Sequence, residues 1–381
     1  MKNNFYSINR FFEEYAANAA KSDNKKVSFA FVRNEEQIFV YSVFIAYNLT
    51  ETELFLEKLV KSLLYIVGCS RIIVDDLQCV SILSSLFSED GKRSFDYKFF
   101  SRAFKANLQF EYAIALPDPR WSGPKAGGKE KGKRIGFDAG GSDIKVCAVV
   151  DGKSVFSEET LWLPKLNSDP DYHYEFIRNA IAKAYNILGG AESLGVSTAG
   201  VVANNEVRIA SLFIKVPETI FDQKVKDIYI RIADEFNLPL IVANDGDVAA
   251  YEGALELNAD RLLGIAMGTS EAGGYVDKDR NINGWLNELA FVPIDMSNEA
   301  IRDEWSGDVG CGAKYLSQDA VIRLAQEKEF NISNDLTLAE KLKIVQLAAE
   351  RKELNALDVF DTVGFYLGEA ICYYSRYYDI G

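Results

Sequence analysis

One histidine and no paired cysteines leave this 381-residue chain short of the usual makings of a zinc site. The histidine, His173, stands in DPDYHYEF near an expected helix start, where it reads as a surface residue. Cys69, Cys79, Cys147, Cys311 and Cys372 are scattered with no C-x-x-C pair. An odd count without a framework points to reduced thiols, most of them buried as small apolar side chains. Also missing is any run of about 18 apolar residues, so no segment reads as a membrane span. The opening MKNNFYSINRFFEEYAANAAK is an amphipathic helix carrying acidic residues, without the apolar centre of a secretion signal. The expected location is therefore the cytoplasm.

Basic residues are also outnumbered by acidic ones, 42 to 56. The net charge is −14, and the excess of acid lies beyond Arg134. Such a body repels phosphate backbones, which excludes nucleic acid as an expected partner. The basic stretch WSGPKAGGKEKGKR (121–134) is the exception; its Gly, Pro, Ser and Lys without apolar periodicity read as a solvated linker. It separates an N-terminal α/β domain (1–120), whose role the sequence does not disclose, from the main body. In that domain VSFAFV and QIFVYSVFIAY around RNEE predict a hairpin, ETELFLEKLVKSLLYIVG a helix, and RIIVDD and FEYAIAL strands.

The body alternates strands and helices as a layered α/β fold does, and it twice presents a strand ending in a glycine-rich turn. The first turn is DAGGSDIK. Gly140 and Gly141 allow the backbone to bend towards an anion, Ser142 offers a hydroxyl, and Asp138 is placed to hold Mg²⁺ through water. The second is GTSEAGG, with Gly268, Thr269, Ser270, Gly273 and Gly274. Either turn alone is an ordinary β-turn. Two of them, about 130 residues apart, form an opposed pair of phosphate clamps. Between them, IVANDGDVAAYEGA places Asn244 and Asp245 at a helix start. A carboxylate there accepts a hydroxyl proton during phosphoryl transfer, or simply caps the helix, and both roles are compatible. Asp247 and Glu252 are expected to face solvent.

With these motifs in order, the segment from Arg134 onward resembles the ROK family (repressors, open reading frames and sugar kinases) of the actin-like ATPase superfamily. The resemblance implies an actin-like, ribonuclease H-like two-lobed α/β fold, with lobes at 135–253 and 254–381 closing over ATP–Mg²⁺ and a sugar. Asp245 would be the base, and Asn244, Glu288 and Gly200 would contact the sugar. The phosphate loops, including Asp138 and Lys145, would bind the nucleotide. A homodimer is also implied.

NGWLNELAFVPID resembles the family's sugar-binding segment and DEWSGDVGCGAKYLS its cysteine-rich zinc segment. Phe291 replaces the zinc-ligating histidine and Cys311 alone remains of the cysteine cluster, so no structural zinc is expected. Ala313 replaces a sugar-binding glutamate, and Thr198 or Ala199 the proline of a Gly-x-Pro-Gly turn. Glucose specificity therefore does not carry over. VFDTVGFYLGEAICYYSRYYDIG resembles the helix before an adenosine-binding strand, so that side of the site is expected to be incomplete or filled by another element, for which SLLYIVGCSRIIVDD has the right order. The leading expectation is an ATP-dependent sugar kinase; the alternative is a non-catalytic sugar- or nucleotide-binding regulator, with an assembly or chaperone ATPase third.

Overall fold

The computed structural model describes residues 4–122, 131–141, 143–268 and 270–381. The expectations for Ser142, Thr269 and linker residues 123–130 lie outside the described residues.

The N-terminal part runs α1 (Ile8–Ala19), β1 (Lys25–Asn34), β2 (Gln37–Ile45), α2 (Thr52–Val67), β3 (Arg71–Val74), α3 (Leu77–Leu86), α4 (Ser94–Phe104), β4 (Gln109–Tyr112) and β5 (Arg120–Trp121). Ser7 caps α1 by accepting the Arg10 N–H at 3.1 Å. The expected hairpin is β1–β2, and the sheet order is β4-β3-β1-β2-β5.

Next come β6 (Lys133–Ala139), β7 (Asp143–Val150), β8 (Lys153–Leu161), α5 (Pro170–Leu188), β9 (Ser193–Thr198), β10 (Val201–Ala203), β11 (Glu206–Ile209), α6 (Glu218–Lys224), α7 (Ile228–Glu235) and β12 (Leu240–Asn244). The main sheet, β12-β9-β6-β7-β8, is an antiparallel meander extended by two strands parallel to β6. Alternation along β6 sends Ile135, Phe137 and Ala139 into a core with Ile181, Val196 and Tyr229, leaving Asp138 on the opposite face. His173 belongs to this core and not to the surface. It is fully buried among Trp162, Tyr172 and Phe213, and burial lowers its pKa. The aromatic pocket wins because His173 falls on the inward face of α5 beside Ile177 and Ile181.

The remainder is α8 (Asp245–Glu256), β13 (Leu262–Met267), β14 (Glu271–Val276), α9 (Gln318–Glu327), α10 (Leu338–Glu350) and α11 (Leu354–Tyr374). Helix α8 packs Ala250 and Ala254 on Val276, so it stands with β13–β14 rather than closing the first lobe at 253. A single core then joins Phe12, Phe55 and Tyr65 of the N-terminal part to Leu289, Phe291 and Tyr373. The SLLYIVGCSRIIVDD segment does not extend the β13–β14 hairpin; β3 pairs with β1 and β4. Among the described residues no helix is long and apolar enough to cross a membrane.

Candidate active site

Strand β12 delivers Asn244 to the cap of α8. Its Oδ1 accepts the Gly246 N–H at 2.8 Å, and its Nδ2 donates to Gly200 O at 3.0 Å. Gly200 has φ +108°, and a Cβ there would lie 2.3 Å from Ile209 O, so both conformation and space demand glycine. Asp245, the first residue of α8, also accepts the Gly246 N–H, at 3.0 Å. Burial raises its pKa; Gly246 opposes the rise and the Asp138 charge adds to it.

A cleft of about 420 Å³ brings Asn244 and Asp245 together with Gly200 and Glu288, with Gly141 of the first turn and with Gly268, Ser270 and Gly273 of the second. The N-terminal part sets the position of Glu288. The last carbonyls of α2, at Tyr65, Ile66 and Val67, accept the N–H groups of Glu288, Asn287 and Leu286 at 3.0, 3.0 and 3.3 Å. Carbonyls orphaned at a helix end are thereby satisfied by the segment around Glu288. No described residue donates to the Glu288 carboxylate. Burial, reinforced by Asp245 and Asp247, lifts its pKa to about 7.

Asp247 does not face solvent as its place on α8 suggested. It is buried, and its Oδ1 accepts Asn287 Nδ2 at 2.8 Å and the Tyr275 N–H at 3.3 Å, with burial raising its pKa to about 7. The first turn of α8 is wedged against β14, which puts Asp247 inside; Glu252 is exposed. This wedge also explains the paired glycines. A Cβ at Gly274 would meet Gly246 O at 2.1 Å, and one at Gly273 would meet the Leu289 side chain at 2.6 Å. Both residues make room for protein, whatever else they do.

In the first turn, Gly140 N–H donates to Asp143 O at 3.0 Å, and Trp162 Nε1 holds Gly140 O at 2.8 Å. Lys145 is directed elsewhere: its Nζ pairs with Asp143 at 2.7 Å, and with Asp138 it borders a separate hollow on the open face of the main sheet. Lys165 is the cation that reaches the cleft beside Gly141, from a single 3₁₀ turn after β8 with no sequence signal. Glu271 was also missed, although it lies within GTSEAGG. It is buried at the cleft, receives Tyr374 O–H at 3.2 Å on Oε1, and has no hydrogen-bond partner on Oε2. Burial raises its pKa to about 8.

Around Asp308, in the segment that resembles a zinc-binding one, charges converge instead. Asp308 meets Lys61 Nζ at 2.6 Å and Arg93 beside it; Glu57, Lys58 and Asp96 complete a buried cluster between α2, α4 and the loop. Burial alone would raise the pKa of Asp308, but the three cations hold it far below the carboxylate range. Among the described residues no group of three His, Cys, Asp or Glu is arranged to hold a metal. Asp138 lies near the end of β6, and Asp245 directly follows β12.

Comparison with solved structures places similar folds among sugar kinases and a regulator. A ROK hexokinase from Thermus thermophilus is 16% identical over 65% of this chain and 79% of its own, with a TM-score of 0.50. A ROK family glucokinase from Streptomyces griseus, solved with glucose and AMPPNP, is 21% identical over 65% and 80%, with a TM-score of 0.48. A ROK family transcriptional regulator, a homologue of the E. coli MLC protein, is 16% identical over 63% and 61%, also at 0.48. No curated protein matches the sequence. The ROK family model matches residues 134–380, and the chain belongs to the ROK family.

Proposed function

We propose that the protein is an ATP-dependent sugar kinase. The observation that supports this reading is Asp245, fixed at the start of α8 in one cleft with Asn244, Glu288 and two glycine turns. In the proposed reaction a sugar hydroxyl oxygen bonds to the γ-phosphorus, the bond to the β,γ-bridging oxygen breaks, ADP leaves, and the hydroxyl proton passes to Asp245. A carboxylate whose pKa is raised by burial suits that transfer. Gly141, Gly268 and Ser270 would border the phosphates, with Lys165 offering positive charge. Asp138 would hold Mg²⁺ through water, and the ion would neutralise phosphate charge. Such a reaction needs mainly positioning and charge stabilisation, which these groups offer.

The test is ADP release from Mg²⁺-ATP across hexoses, amino sugars and pentoses, with Asp245→Asn beside the parent. Sugar-dependent turnover lost in the variant, with sugar affinity kept within about tenfold, is expected of a base acting in the transition state. Full turnover in Asp245→Asn would reduce Asp245 to a structural part of the helix start. A second reading, a non-catalytic sugar-binding regulator on this fold, is favoured by Ala313, a methyl group lining the cleft where the family resemblance would put a sugar-contacting glutamate. Silence across the sugar panel from folded protein that still binds a sugar would select it.

A further inference from the structure

We propose that Phe99, Phe291 and Trp305 form a selecting wall for an apolar substituent on the sugar, so that the preferred ligand is a glycoside bearing a flat apolar group. The three rings come from separate places: α4, the segment after Glu288, and the loop between Ile301 and Cys311. Phe291 lies 5.3 Å from Trp305 at 59° and 5.6 Å from Phe99 at 56°, between ring centroids. A second layer backs them, with Tyr65 stacked on Phe291 at 4.8 Å and Phe95 edge-on to Trp305 at 6.2 Å. Phe99 and Phe291 are almost wholly buried, whereas Trp305 is 58% exposed at the cleft. An indole left open on an aromatic layer, facing a binding cleft, presents apolar surface that a ligand can cover.

The lining is mixed. Asn244, Asp245 and Glu288 bring polar groups to the cleft, and Ala290 and Ala313 add methyl groups to the three rings. A bare hexose carries hydroxyls around its ring and would leave some of them against hydrocarbon without partners, which costs binding. A sugar with one apolar appendage matches both kinds of group. The wall is also pre-set. Asp303 Oδ2 accepts the Ser306 N–H at 2.7 Å, the Asp303 N–H donates to Asp308 O at 2.7 Å, and Asp308 is held by Lys61 and Arg93. A loop fixed before binding spends little further entropy on ordering itself. The inference rests on the kinase reading for its polar half and on the rings for the rest.

The experiment compares matched methyl and phenyl glycosides of glucose, galactose and mannose, in both anomers. Tryptophan fluorescence reports binding and ADP release reports turnover. The phenyl member of the favoured pair is expected to bind about tenfold more tightly than its methyl partner, as a well-placed aromatic contact allows. Its binding should alter the emission of Trp305, and Trp305→Ala should abolish both the preference and the fluorescence change. Because Trp305 is exposed, that variant is expected to fold, and Phe99→Leu serves as a second variant that keeps most of the core volume. Turnover of sugars with no phenyl preference, or a preference unchanged in both variants, overturns the wall and leaves the kinase reading standing. Phenyl-selective binding lost in Trp305→Ala but without turnover upholds the wall and overturns the kinase reading. Neither binding nor turnover overturns both.

Discussion

Glu271 is the residue through which pH should act most directly on this molecule. Its folded pKa of about 8 stands above the ordinary 4.5 because the carboxyl is buried with one oxygen unpartnered. The folded state therefore retains a proton that the unfolded chain has already lost. The stability contribution is complete below about pH 4.5 and is lost as pH rises through about 8. Glu271→Gln should raise the melting temperature by several degrees at pH 8 and by progressively less towards pH 5; equal melting shifts across that range would show that the carboxyl does not titrate there. Gly274→Val tests a neighbouring residue by sterics. With Gly246 O only 2.1 Å from the added Cβ, it should lower stability by more than about 3 kcal/mol, measured by urea unfolding, before any ligand is considered. A glycine-rich turn was legible in GTSEAGG, but the packing demand was not, because the partner of Gly274 is a backbone oxygen 28 positions upstream. Asp247 was misjudged for the same reason: its helix position is local information, and its burial comes from Asn287 and β14.

At the scale of elements, the strand–turn and strand–helix units of the body were readable because period-two apolar patterns and glycine turns are local signals. The contribution of α2 and α4 to the cleft was not, since nothing in ETELFLEKLVKSLLYIVG announces that its last carbonyls will hold Leu286, Asn287 and Glu288. Lys58 and Lys61 are buried against Asp308, 250 and 247 residues away, a pairing that no local pattern signals. Asp308→Asn removes one member of a balanced set of three cations and three anions and strands positive charge in the interior. A loss of about 3–5 kcal/mol is expected. Limited proteolysis should then cut between residues 303 and 308, where the parent resists. An unchanged melting curve would mean the cluster is solvated and adds nothing.

On the scale of the whole molecule, the linker composition separates the chain in sequence where the core does not. Phe12, Phe55 and Tyr65 pack with Leu289, Phe291 and Tyr373 in one buried mass, and the Ile8 N–H donates to Ile294 O at 3.0 Å. A body of residues 131–381 expressed alone would expose that surface and is expected to aggregate. Supplying residues 1–122 as a separate chain should restore solubility and a single unfolding transition. A soluble, monomeric body melting at the parent's temperature would show that the two parts are independent.

The Asp308 cluster has a consequence for making chimeras. Three cations and three anions neutralise one another only when α2, α4 and the loop are present together. Grafting this N-terminal segment onto a body whose loop has no carboxylate at the place of Asp308 would leave Lys58, Lys61 and Arg93 short of a buried partner. Grafting zinc ligands into this loop would set the same cations against the incoming metal. Any chimera built from this chain must therefore move the N-terminal segment and the loop as a pair.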